Sequence, residues 1–311
     1  MVTTVTLNPC IDYTITVPGV ELGKLNIAKS ARTDMAGKGI NVSAVLEEIG
    51  VHSFAAGLSF ADNHSQLEAY LDRLKIAHDF VVAPGAIRTN VKINDSTTNI
   101  MTEINSRGND VSEEMLKEAI EKAAELAAKS KMLVMSGRLP GGAPDTTYRT
   151  LVKKAKTAGC KVVVDAEGLP LLEAVKEKPF LIKPNLYELE KTFDCKVKTI
   201  PEILRVCGLI ISGGVEIVCV SLGEKGALIA NRNEAFYAKA ICITPKGFQG
   251  AGDSMVAGIC KAFTEGRGLD EMLRFGVAAA SGSLIREGTQ LCRCAEFEVF
   301  LRQVEIETAT P

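Results

Sequence analysis

Two glycines, an aspartate and the first turn of an apolar helix stand together at Gly250-Ala251-Gly252-Asp253-Ser254. Met255, Val256, Ile259, Ala262 and Phe263 follow at the spacing of one helical face, so a helix begins at this turn. Its first backbone N–H groups lack partners within the helix and carry the positive end of its dipole, which suits them to a phosphate or a developing oxyanion. A carboxylate beside that site repels a phosphate, unless its task is to take a proton from a hydroxyl attacking it. Gly250, Ala251, Gly252 and Asp253 therefore point to phosphoryl transfer to an alcohol, although Asp253 taken alone reads equally well as a helix cap.

A second glycine-led helix start lies at Ala36-Gly37-Lys38-Gly39-Ile40-Asn41, with Val42, Val45, Leu46 and Ile49 on one face and Gly50 as the stop. It is not a Walker A loop, which needs Ser or Thr after the Gly-Lys pair, where this chain has Gly39. Gly57-Leu58-Ser59-Phe60-Ala61 has the outline of a nucleophile elbow. The three histidines, at 52, 64 and 78, all stand early in the chain, whereas the elbow fold expects its histidine late, so a hydrolase is disfavoured.

The elements around these turns alternate. Val2–Leu7, His52–Ala56, Met132–Met135, Lys161–Val164, Phe180–Lys183 and Ile217–Ser221 read as apolar strands, separated by helical patterns such as the Ser112-capped stretch at 113–129 and the one at 145–158. Strands this apolar, alternating with helices, predict a parallel sheet covered on both faces. Asp12, Ser136, Asp165, Asn185 and Ser221 each follow such a run, as they do when one sheet edge holds the ligands. Ile11–Val17, Thr89–Ile93 and Thr98–Asn105 are more polar and alternate, which predicts a small sheet outside the core that serves as a lid.

Composition narrows the partner. With 36 Lys+Arg against 38 Asp+Glu, no Trp and 5% aromatic residues, neither a nucleic-acid face nor a membrane-surface anchor is expected, so the partner is a small molecule. No apolar run reaches bilayer length, and Asn8 and Asp12 interrupt the N-terminal apolar segment, so a cytoplasmic protein is expected. The nine cysteines lack zinc-site spacing and read as reduced thiols.

Leu7-Asn8-Pro9 with Asp12, Gly37-Lys38-Gly39-Ile40-Asn41, Lys183-Pro184-Asn185 with Glu188, Ser221-Leu222-Gly223 and Gly250-Ala251-Gly252-Asp253-Ser254 together resemble the PfkB family of the ribokinase-like superfamily, in its 1-phosphofructokinase and tagatose-6-phosphate kinase branch. The resemblance runs end to end. It implies a ribokinase-like three-layer α/β/α sandwich with a mostly parallel sheet and a small β-sheet lid. The large domain would comprise 1–10, 36–86 and 106–311, and the lid 11–35 and 87–105. It implies an ATP- and Mg²⁺-dependent kinase that makes a bisphosphate, with fructose 1-phosphate first and tagatose 6-phosphate or fructose 6-phosphate next. Asp253 would be the base and Gly250–Gly252 the anion hole. Asp12, Gly37 and Asn41 would bind sugar hydroxyls; Lys24, Lys38 and Arg88 would meet the phosphate already on the substrate. Asn185 and Glu188 would hold Mg²⁺ largely through water, and Asn185, Ser221, Gly223 and Gly226 would border the nucleotide. A homodimer through the lid is implied.

The chain departs from the family pattern at Ala36, at Phe60–His64, at Arg138 and at Gly247-Phe248-Gln249, where Asn/Ser-Thr-Val is usual. Arg138 reads either as an extra phosphate clamp or as an exposed turn residue. These departures motivate an alternative of another class, a catalytically weak sugar-phosphate or nucleotide sensor with the kinase fold.

Overall fold

A computed structural model describes residues 1–98 and 100–310; Asn99, in the expected lid hairpin, and Pro311 lie outside the described residues. Fourteen strands are present among the described residues: β1 (Val2–Thr6), β2 (Cys10–Val17), β3 (Ser30–Ala36), β4 (Ser53–Phe60), β5 (Ala77–Ala83), β6 (Arg88–Asp95), β7 (Ile100–Ile104), β8 (Met132–Ser136), β9 (Lys161–Asp165), β10 (Leu181–Ile182), β11 (Ile217–Ser221), β12 (Ala227–Ala230), β13 (Ala235–Ala238) and β14 (Ile306–Thr308). Ten of them form one sheet in the order β14-β13-β12-β11-β10-β9-β8-β1-β4-β5, and four form a second sheet in the order β3-β2-β6-β7.

From β5 to β11 every pairing in the large sheet is parallel, and β12 to β14 add an antiparallel edge. The strands are apolar on both faces because both faces are covered. On β8, Leu133 and Met135 enter one core while Met132 and Val134 enter the other. The first core receives Leu116, Ala119 and Ala123 of helix Glu113–Ala127 and Leu151 and Ala155 of helix Thr147–Thr157. The second receives Val42, Val45 and Leu46 of helix Lys38–Glu48 and the buried faces of helices Ala251–Thr264 and Leu269–Leu284. The result is the expected three-layer α/β/α sandwich with a small separate sheet.

In the small sheet, β2 runs parallel to β6 with Cys10 opposite Arg88 and Asp12 opposite Asn90, while β3 and β7 pair antiparallel on the outside. Both excursions therefore leave the body side by side. Two features were not read from the sequence. β5 begins with Ala77-His78-Asp79, which masks the apolar Phe80-Val81, and the antiparallel edge β12–β14 is short and follows a Gly-rich turn.

The strand expected over His52–Ala56 is corrected, because β4 continues to Phe60 and Gly57-Leu58-Ser59, already disfavoured as an elbow, lie within it. Gly57 has φ +135°, and a Cβ there would sit 2.0 Å from the Thr6 carbonyl oxygen, so the glycine serves close strand approach. All nine cysteines are free. Among the described residues, no helix is long and apolar enough to cross a membrane.

Candidate active site

The two glycine-led helices meet at the carboxyl ends of the parallel strands. Gly250 caps helix Ala251–Thr264 with a left-handed φ of 72°, and a Cβ there would meet Leu291 Cδ2 at 2.3 Å, so both conformation and space favour glycine. Gly37 caps helix Lys38–Glu48. Asn41, in the first turn of that helix, donates from Nδ2 to Asp253 Oδ2 at 2.8 Å. That hydrogen bond fixes the carboxylate beside the backbone N–H groups of the Gly250 turn.

Asp253 is 5% exposed. Burial, the largest influence, pushes its carboxyl up to about 6; Asp165 pushes the same way, while Lys38, the Asn41 hydrogen bond and Lys183 oppose. It remains ionised at neutral pH yet is basic enough to share a proton.

Beside it lies a charge cluster that the sequence placed only in part. Asp165, at the end of β9 and 0% exposed, faces Lys38 Nζ at 3.3 Å and Lys183 Nζ at 3.4 Å. Burial opposes its charge, but the Lys183 and Lys38 ammonium groups hold its carboxyl below the usual range. Lys38 Nζ also lies 3.9 Å from Glu188 Oε1. Burial works against the Lys38 charge, and the carboxylates of Asp165, Glu188 and Asp253 raise its pKa nonetheless.

One cavity of about 1050 Å³ is lined by Asp12, Gly37, Lys38, Asn41, Arg88, Arg138, Asn185, Glu188, Ser221, Gly223, Gly226 and Gly250–Asp253. Its volume lies at the upper end of the range of small-molecule pockets. Lys24 is not brought there. It lies exposed in the loop between β2 and β3 and pairs with Glu21, because that loop turns outward with Leu22, Leu25 and Ile27 exposed around it. Lys38 reaches the Asp165–Glu188 side instead of standing free for a distant phosphate.

Arg88 is different from the other cations. Its Nη1 donates to Asn90 Oδ1 and to the Ser106 carbonyl oxygen, each at 2.8 Å, and its Nη2 to the Asn8 carbonyl oxygen at 3.4 Å. All its partners are neutral acceptors, and its buried Nε has none. The guanidinium is therefore oriented without being neutralised. Arg138 reaches Glu167 at 3.0 Å across the ends of β8 and β9.

Asn185 and Glu188 form a capping box. Glu188 N donates to Asn185 Oδ1 at 2.8 Å, and Asn185 N donates to Glu188 Oε2 at 2.9 Å. The Asn-x-x-Glu spacing thus builds the start of helix Leu186–Thr192, and Glu188 Oε1 is left toward Lys38. Among the described residues, no group of three or more His, Cys, Asp or Glu could hold a metal directly. A single carboxylate oxygen and an amide facing a cavity fit a hydrated Mg²⁺ better than a bare one.

Sequence reasoning missed Lys183, Lys92, Asn90 and Gln249. Lys183, 3% exposed in the Lys-Pro-Asn strand end, carried the one readable signal, a lysine closing an apolar strand. The elbow residues do assemble a suggestive contact, with His64 Nδ1 2.9 Å from Ser59 Oγ and His64 Nε2 3.3 Å from Glu68 Oε1. Ser59 is 0% exposed near the end of β4 and does not line the cavity, so no substrate held there reaches it.

Residues 5–295 match the pfkB family of carbohydrate kinases. The chain is 33% identical to the 1-phosphofructokinase of Borreliella burgdorferi over 311 residues, covering 99% of this chain and 98% of that protein. It is also 33% identical to the Bacillus subtilis 1-phosphofructokinase over 291 residues, covering 92% and 93%. The crystal structure of phosphofructokinase-2 from Escherichia coli in complex with substrates and products superposes with a TM-score of 0.92 at 25% identity, covering 97% of this chain and 98% of that one.

Proposed function

Because the chain belongs to the pfkB family of carbohydrate kinases, we propose that it transfers the γ-phosphoryl group of ATP to a ketohexose phosphate, fructose 1-phosphate first, giving fructose 1,6-bisphosphate. The observation that carries this reading is Asp253, buried at a helix N-terminus, oriented by Asn41 and raised to about 6.

Asp253 accepts the proton of the attacking sugar hydroxyl, and a basicity near neutrality suits that task. The backbone N–H groups of Gly250, Ala251 and Gly252 receive the negative charge on the phosphoryl oxygens. Asp12, Gly37 and Asn41 orient the sugar hydroxyls. Arg88, with its charge uncompensated, takes the phosphate already on the substrate, and Arg138 borders the same side. Lys38, drawn toward Asp165 and Glu188, stands on the side of the group in transfer. Ser221, Gly223, Gly226 and Asn185 border the nucleotide. Asn185 and Glu188 would hold a hydrated Mg²⁺, which would supply charge neutralisation to the phosphates.

The outward face of the small sheet supports a homodimer through the lid, since Leu22, Leu25, Ile27, Ile100 and Ile104 are all exposed on or beside it. Light scattering on Leu25→Glu should show a lower mass than the native chain; an unchanged dimer would place the interface elsewhere.

The deciding assay measures ADP formation with Mg²⁺ across fructose 1-phosphate, fructose 6-phosphate and tagatose 6-phosphate, with Asp253→Asn as the blank. Turnover on fructose 1-phosphate that the blank lacks supports the proposal. ATP binding without turnover on any of the three would favour the sensor instead.

A further inference from the structure

Gln249 stands one residue before the anion-hole turn, where the family pattern has Val. Its side chain leaves the body for the lid. Nε2 donates to Glu103 Oε1 on β7 at 2.7 Å, and Oε1 accepts from Lys92 Nζ on β6. Lys92 is 4% exposed and also donates to Asp12 Oδ2 on β2 at 2.5 Å, while Asp12 Oδ1 accepts from Asn90 Nδ2 at 2.9 Å. Two lid strands thus meet one amide of the body directly, and a third is joined to it through Lys92.

An amide is suited to this place, because it donates to a carboxylate and accepts from an ammonium at once. Valine makes neither contact. On its other side the same loop is tied to the end of helix Leu269–Leu284, since Lys246 N and Gly247 N both donate to the Leu284 carbonyl oxygen, at 2.8 and 3.3 Å. Gln249 is consequently held between two bodies, and Gly250, next in the chain, opens the anion hole.

We propose that Gln249 is a positioning residue that couples the lid to the anion hole. Lys92 and Glu103 fix its side chain, and its backbone in turn fixes the Gly250–Gly252 N–H groups. Lys92 also holds Asp12, so any shift of Asp12 on the sugar reaches the hole through one shared ammonium. The effect on turnover rests on the kinase reading; the effect on the backbone does not.

The test compares Gln249→Val with the double variant Gln249→Glu/Glu103→Gln, which exchanges donor and acceptor and keeps a partner for Lys92. Amide hydrogen exchange is followed over 246–252 and 90–94, alongside kcat and both KM values. Gln249→Val should exchange about tenfold faster in both stretches and lose about tenfold in kcat, with KM for ATP within about twofold of native. The exchanged pair should recover both. Native exchange in Gln249→Val overturns the proposal, and so does accelerated exchange with native kcat. If the native chain turns over none of the fructose phosphates, the kinase reading fails, and exchange over 246–252 alone decides the coupling.

Discussion

Asp165 and Asp253 are both almost fully buried, yet their carboxyls are shifted in opposite directions from the ordinary value. Burial pushes each carboxyl upward. At Asp165 two ammonium groups within 3.4 Å reverse that push, whereas Asp253 receives one neutral amide hydrogen bond and only distant cations. The strand end therefore carries a carboxylate that its lysines favour in the charged form, and the helix start carries one suited to the proposed role of proton acceptor. Identical side chains are given different basicities by what surrounds them.

The largest expected effect breaks the acceptor. Asp253→Asn should lower kcat by about 10³-fold while leaving sugar-phosphate affinity within a few-fold, read from steady-state kinetics and calorimetry. Somewhat smaller is the loss of the anchor. Asp165→Ala leaves Lys183 buried without its partner and Lys38 with only Glu188, and should destabilise the fold by about 3–5 kcal/mol in urea denaturation.

A third measurement sharpens the contrast through pH. Asp253 must be ionised to accept a proton, so kcat/KM should fall about tenfold per unit below a pKa near 6. In Asp165→Asn the repelling charge is gone and both lysines are freed, so that limb should move to lower pH.

The smallest effect is on stability, and its sign differs between the two sites. Asp253 goes from an ordinary 3.8 to about 6 on folding, so its stabilising contribution is present below 3.8 and lost as pH rises through 6. Asp253→Asn should therefore be more stable than native by about 1–3 kcal/mol above pH 6, with the gain vanishing below pH 4. Asp165, held low, contributes above its ordinary pKa and loses that contribution as pH falls. Denaturation at pH 4 and pH 7 distinguishes the two.

Much of this was legible beforehand, for a physical reason. The Gly250–Asp253 and Gly37–Asn41 turns are local, so glycine chemistry and helical spacing declare them without reference to the fold. The apolar parallel strands declared themselves in the same way. What stayed hidden depends on long-range closure. Asp165 was legible as one of the polar residues on the ligand edge of the sheet, but its pairing with Lys183 exists only once β9 and β10 lie side by side. Lys92 looked like one polar residue of an alternating hairpin, and Gln249 like a departure without a purpose. Lys24 is absent from the lining of this chain's cavity because the loop 18–29 between β2 and β3 can turn either way, and spacing from Asp12 does not choose.

The small sheet leaves the body at two adjacent points, Cys10 and Arg88, which face each other across parallel strands. Everything between each exit and its return is an insertion into an otherwise continuous sandwich. Such a layout works as a cassette. On the proposed assignment the residues for ATP and phosphoryl transfer stay in the sandwich while Asp12 and Arg88 of the inserted segments meet the acceptor, so exchanging those segments would change which acceptor is held without rebuilding the engine.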